Sequence, residues 1–324
     1  MTTKRKHFIF ILFIFNLLPV YSLAQNFVLV DSIVSNYPAS FREPEQLAQF
    51  INSNFTDPSE KARAAYAWIA HNIAYDVEAL QNGTPDYQYT YNSKAEKEAK
   101  ELAIRKKIAS ETLRKRKGVC ENYANLFNET CHLLGLESVT IHGCSKTTER
   151  QIGVIPKGSD HAWNAVKING TWQLVDVTWG AGNRVNNVFE AHYSDVYFFT
   201  NPKLFVLNHF PADSIWLLTP CSAEDFAHFP LVYRTFFETG INFEQPAGGI
   251  IKVKQNELIH FQYTSPSEIS DLSYAFSNEK SGTTIQPEEN GSTYSFNVTY
   301  KSYAAKYLTI YYRSKAMISF KLEQ

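Results

Sequence analysis

Residues 161–179 read H-A-W-N-A-V-K-I-N-G-T-W-Q-L-V-D-V-T-W. Two alternating runs flank Asn169-Gly170, the dipeptide best suited to the left-handed backbone of a two-residue hairpin turn. With that turn Ile168 faces Thr171. Pairing then runs outward residue by residue, setting Trp163 opposite Asp176 and His161 opposite Thr178. Opposed residues share a face, and so do alternate residues along a strand. His161 and Asp176 are therefore expected on one face as diagonal neighbours, about 7–8 Å apart at Cα, within reach of an imidazole–carboxylate hydrogen bond.

A histidine oriented by a carboxylate is half of a nucleophilic site, because the carboxylate fixes the tautomer and stabilises the imidazolium. Cys120 suits the missing half. After Gly118, the residues Val119, Tyr123, Leu126, Phe127, Cys131 and Leu134 form an apolar stripe of helical spacing, with Gly135 placed to end it. Cys120 falls in the first turn, where unpaired N–H groups and the dipole favour a thiolate and could hold an oxyanion. Taken singly, each residue has an ordinary structural role: a small buried hydrophobe, a core histidine, a turn cap. The shared face is what joins His161 to Asp176. A zinc site built on the same three residues wants a fourth ligand at recognisable spacing. The sequence offers none, and no acidic loop has calcium-ligand spacing, so no metal or other cofactor is expected. His142 and Cys144, close together in an expected strand at 137–145, form a weaker alternative pair.

Around this centre, 44–55 and 58–74 read as helices, the second opened by Asp57-Pro58. Residues 81–93 are a polar, turn-rich loop. Residues 94–117 hold ten Lys/Arg and four Glu, the pattern of a solvated helical face. Residues 146–160 read as a loop and 180–238 as irregular. From about 245 the texture changes. Runs at 250–254, 257–263, 293–300, 306–313 and 316–322 are rich in Ile, Val, Tyr and Phe, with turn residues between them, as in a small all-β sandwich.

The first 24 residues combine Lys4-Arg5-Lys6, an apolar run at 8–20 and Ser22-Leu23-Ala24. This is the pattern of a cleavable secretory signal peptide, cut after Ala24; the run is too short to span a bilayer. The expected organisation is thus 1–24 signal peptide, 25–238 main domain and 239–324 β-sandwich. The expected location is secreted or periplasmic, with no membrane span after cleavage. Export would permit a disulfide among Cys131, Cys144 and Cys221. The 44% hydrophobic content of the 324 residues supports a real core and excludes a disordered chain. Lys+Arg 31 against Asp+Glu 32 lacks the basic excess of a nucleic-acid binder.

Gly118-Val119-Cys120-Glu121-Asn122-Tyr123-Ala124 resembles the nucleophile helix of the transglutaminase-like superfamily. Asp160-His161-Ala162-Trp163-Asn164 resembles its histidine strand, and Asp176-Val177-Thr178-Trp179-Gly180 its aspartate strand. Ala67-Trp68-Ile69 with Ile73-Ala74-Tyr75-Asp76 looks like the helix upstream of the core. His209-Phe210-Pro211 and Trp216-Leu217-Leu218 are similar to the tail of the kyphoscoliosis-peptidase-like branch, in its exported bacterial form. The resemblance covers roughly 40–238. It implies an α+β fold, a papain-like core with a central helix packed on an antiparallel sheet. It also implies Cys120 as nucleophile, His161 as base and acid, and Asp176 as orienter. The expected function is a cysteine-dependent enzyme acting on peptide or glutamine-type amides through an acyl thioester, with a peptide or cell-envelope protein as substrate. Water as acceptor gives a protease or amidase, an amine gives a transglutaminase, and the residues are the same. The alternative is a non-catalytic binding or scaffold protein of the cell envelope on the same fold.

Overall fold

A computed structural model describes residues 27–83, 89–267, 269–301 and 304–324. The signal-peptide expectation falls on residues outside this set. Among the described residues, no helix is long and apolar enough to cross a membrane.

The helices follow from local signals. Pro58–Asn72 is capped by Asp57, whose side chain accepts from the Ser59 and Glu60 N–H groups, with Pro58 at the first position, which needs no N–H. Lys94–Lys115 carries its charges on a wet face, where Lys100 pairs with Glu96 and Lys115 with Glu111 one turn apart. Cys120–Leu133 is terminated at Gly135, which takes a positive φ of 77°. The whole expected stripe along this last helix is buried, from Val119 to Leu134.

These helices cover one face of a five-stranded antiparallel sheet. Its strand order is Phe198–Thr200, Thr171–Val175, His161–Ile168, Ser138–Ser145, His209–Pro211. Val166, Ile168 and Val175 face the helices, in one core with Trp68, Tyr123 and Phe127. Ile141, Trp163, Ala165 and Leu174 face the other way and pack on Phe205, Trp172 and Trp216. The central hairpin has the expected register, from Ile168 opposite Thr171 to Asn164 opposite Val175. Asn169 and Gly170 both adopt positive φ, 49° and 83°, as the turn requires.

The expected strand does not continue to Trp179. It stops at Val175, and Asp176 caps a short helix, Val177–Ala181, by accepting from the Trp179 N–H. Alternation in D-V-T-W mimics a strand, but an Asp that can bond the N–H three residues on turns the chain. Neither the expected pair Trp163–Asp176 nor the pair His161–Thr178 therefore forms. The 180–238 stretch, read as irregular, holds several short elements. They include the hairpin Gly182–Val185 with Val188–Ala191 and the edge strand His209–Pro211.

The C-terminal part is two sheets. One contains Asn242–Gln245, Leu258–Thr264, Thr293–Thr299 and Glu288–Asn290. The other is built on Leu272–Phe276, Tyr307–Tyr312 and Lys315–Glu323. Phe261, Tyr263, Phe296 and Val298 from the first, with Leu308, Ile310, Met317 and Phe320 from the second, share one apolar core. Leu231–Val232, upstream of residue 239, already pairs with Lys315–Glu323. Tyr233 adds a bridge by donating to Glu149 Oε1 at 2.9 Å.

Candidate active site

Cys120 is the first residue of its helix. The entry is fixed locally. Asn122 Oδ1 accepts from the Val119 N–H at 2.9 Å, and its Nδ2 donates to Thr112 at 3.2 Å. A Cβ on residue 118 would lie 2.4 Å from Asn122 Cβ, so glycine is required there. The helix is then tied to the sheet. Asn164 donates to Ala124 O at 3.0 Å and to Val139 O at 3.2 Å, and Tyr123 donates to Ile73 O at 2.5 Å. These ties hold the start of the helix against the start of the strand that carries His161.

The structure brings all three expected residues together. His161 Nε2 meets Asp176 Oδ2 at 2.7 Å, and Cys120 lies close enough to the His161 ring to help raise its pKa. With Nε2 engaged by the carboxylate, Nδ1 is the nitrogen left for the thiol. His161 and Asp176 are buried, while Cys120 stays partly exposed. Burial alone would push the His161 pKa down and the Asp176 pKa up. Their mutual attraction and hydrogen bond reverse both. His161 is raised to about 10, helped by the Cys120 contact, and Asp176 is held well below the usual carboxylate range.

One participant was not assigned from sequence. His209 Nε2 lies 3.0 Å from the same Asp176 Oδ2. His209-Phe210-Pro211 stood out only as a family-like tail, and nothing in the local pattern links it to a residue 33 positions upstream. His161, Asp176 and His209 offer three ligand atoms within 4.8 Å of one another. Their contacts of 2.7 and 3.0 Å are hydrogen bonds in length and in partner, which accounts for the cluster without an ion.

The alternative pair does not form. His142 Nε2 meets Glu121 Oε2 at 2.8 Å instead, which raises the His142 pKa, and Cys144 Sγ points to Gly158 O at 3.2 Å. No disulfide joins Cys131, Cys144 and Cys221: all four cysteines are free. Cys131 faces the helical core, Cys144 bonds a loop carbonyl, and Cys221 lies on a separate loop. Burial pushes all three of these thiols up.

The site opens into a cleft of about 1000 Å³ between the main sheet and the C-terminal sheets. His161 and Trp179 line one side, Tyr233, Lys315 and Ala316 the other, and Arg184 and Phe189 come from the small hairpin. Arg234 anchors that hairpin by donating to the carbonyls of His192, Trp179 and Gly182.

A cysteine on a helix start, a strand histidine and a carboxylate thus stand together on a papain-like core of helices against an antiparallel sheet. Residues 45–177 match the family model described as Transglutaminase-like superfamily. Human Kyphoscoliosis peptidase is 32% identical over 233 residues, covering 70% of this chain and 32% of that protein. The mouse Kyphoscoliosis peptidase is 35% identical over 198 residues, covering 60% and 27%. The Lim and transglutaminase domain protein ltd-1 of Caenorhabditis elegans is 28% identical, covering 69% and 30%. The chain belongs to the transglutaminase-like superfamily, in the kyphoscoliosis-peptidase branch. It spans about a third of the length of these curated relatives. Among solved structures, a transglutaminase ("TGase") is similar at 18% identity and TM-score 0.29, covering 57% of this chain and 40% of that one.

Proposed function

We propose that this chain is a cysteine-dependent enzyme that opens peptide or glutamine-type amides through an acyl thioester. The observation that carries the reading is the nearness of Cys120 to a His161 that is hydrogen-bonded to Asp176 at 2.7 Å and lines a cleft. Cys120 Sγ, with its proton already held on the His161 imidazolium, bonds to the carbonyl carbon, and the carbonyl oxygen becomes an oxyanion. The N–H of Cys120, at the first helical position and with no acceptor one turn back, is the donor the reading assigns to the developing charge. The C–N bond then breaks, and His161 returns the proton to the leaving amine. Water or a second amine attacks the thioester, and His161 serves as base again. Asp176 keeps the imidazole oriented throughout.

The reading includes export, since residues 1–24 have the form of a cleavable signal. Secreted material should begin at Gln25 on N-terminal sequencing; a chain retaining residue 1 would remove export from the proposal.

The test needs no known substrate. A small alkylating electrophile should label Cys120 faster than Cys131, Cys144 and Cys221, and His161→Ala should slow that labelling by at least about tenfold. Equal labelling of the accessible cysteines, unaffected by His161→Ala, would favour the second reading, a binding scaffold that keeps the fold without the chemistry.

A further inference from the structure

We infer that His209 is a positioning residue of this site: it holds Asp176 through the same carboxylate oxygen that His161 uses, fixing the carboxylate that orients the catalytic imidazole. The inference rests on the enzymatic reading above and adds a residue to it.

The carboxylate of Asp176 is 0% exposed and has three donors. Oδ1 accepts from the Trp179 N–H at 2.9 Å. Oδ2 accepts from His161 Nε2 at 2.7 Å and from His209 Nε2 at 3.0 Å. A buried carboxylate with one histidine partner could turn about its last bond and lose that partner's geometry. A second donor on the same oxygen removes the freedom. His209 is itself held. Its ring stacks on Phe205 at 3.9 Å, meets Trp179 at 4.4 Å and meets the edge of Trp163 at 5.1 Å. Its backbone is in the edge strand, opposite Ser145.

The chemistry of the ring selects its state. Both nitrogens face acceptors, since Nδ1 lies 3.3 Å from Phe205 O. Burial pushes the His209 pKa down, against the pull of Asp176, so the ring is neutral and has one N–H to give. The shorter contact, to the charged carboxylate, takes it. His209 is thus an Nε2–H donor that brings no positive charge to compete with the His161 imidazolium. The other titratable groups around this cluster are Cys120, on His161, and Tyr66, Tyr75 and Tyr197, which feel the Asp176 charge; burial raises the pKa of all three tyrosines.

The experiment measures the rate of Cys120 alkylation in the full chain from pH 5 to 10, with thermal unfolding followed in parallel. The variants are His209→Leu, His209→Gln, His209→Asn and His161→Ala. The amide nitrogen of glutamine reaches the place of Nε2, whereas that of asparagine falls near Nδ1. His209→Leu should slow labelling about tenfold at neutral pH and move the acid limb upward by about one pH unit, the size of one hydrogen bond to a charge. His209→Gln should restore most of both effects and His209→Asn should not. If His209→Leu fails to fold, the Gln–Asn contrast decides. Profiles unchanged from wild type in the Leu and Asn variants, or rates that follow only the unfolding temperature, overturn the inference while leaving the triad standing. A His161→Ala protein labelled as fast as wild type instead defeats the enzymatic reading itself. Nitrogen NMR on the unmodified protein gives an independent check: His209 should be the neutral Nε2–H tautomer, and an Nδ1–H tautomer would rule the clamp out.

Discussion

The two halves of the molecule bury different things. Among the described residues of the C-terminal sheets, the buried polar residues are Thr309 and Ser319, whose hydroxyls bond each other at 2.6 Å; the rest of that core is aliphatic and aromatic and holds no charged group. The main sheet and its helices bury Arg63, Glu129, Lys146, His161, Asp176 and His209. Each has a partner. Arg63 grips Asp31 through two bonds of 2.8 and 2.6 Å, and Lys146 donates to the carbonyls of Phe226 and Phe229, with its pKa pushed down by burial to about 7. Burying charge is expensive unless it is paired. A region built on apolar contacts alone is specified by packing. A region that keeps buried ionisable groups in paired contacts has chemistry to arrange, and the candidate site is found there.

The comparison can be broken or sharpened by substitution. The largest effect is expected for Cys120→Ala, which should cut turnover on any amide substrate by at least about 10³-fold without changing the unfolding midpoint, measured by steady-state kinetics and calorimetry. Asp176→Ala and Phe320→Ala come next, as a matched pair. Each should cost about 3–5 kcal/mol in urea unfolding, the first by stranding His161 and His209, the second by opening a cavity in the apolar core. They should part in reactivity: Cys120 labelling falls in Asp176→Ala and is unchanged in folded Phe320→Ala. Slow labelling in both would erase the distinction between the two halves.

The pH dependence separates the halves again. His161 is raised from 6.5 to about 10, so its contribution is complete below about 6.5 and lost as pH climbs toward 10. Asp176 is lowered from 3.8, so its contribution is present above that value and lost as pH falls below it. Wild-type stability should therefore decline on both sides of roughly pH 4–6.5 relative to His161→Phe, in denaturant titrations across pH. Thr309→Val should do least, within about 1 kcal/mol at every pH, because it removes one neutral hydrogen bond.

Much of the site was legible before any coordinates. Asn169-Gly170 fixed the register because the turn needs two positive φ values, and register decides faces. The stripe from Val119 to Leu134 placed Cys120 at a helix start. The boundary at Asp176 was misread because D-V-T-W alternates like a strand while Asp176 also caps a turn, and two local signals of similar strength compete there. His209 could not be assigned, since its partner lies 33 residues away and only the pairing of Ser145 with His209 brings them together.

The amino-acid order by itself determined the hairpin and the start of the Cys120 helix, because these depend on backbone geometry within a few residues, and it brought Asp176 within reach of His161 even though Asp176 lies just past the end of its strand. Only the tertiary structure decided that Cys120 reaches His161, that His209 shares the oxygen His161 uses, and that a cleft opens between the main sheet and the C-terminal sheets. Those contacts join distant segments, and they exist because burying the apolar faces around them outweighs the cost of ordering the chain.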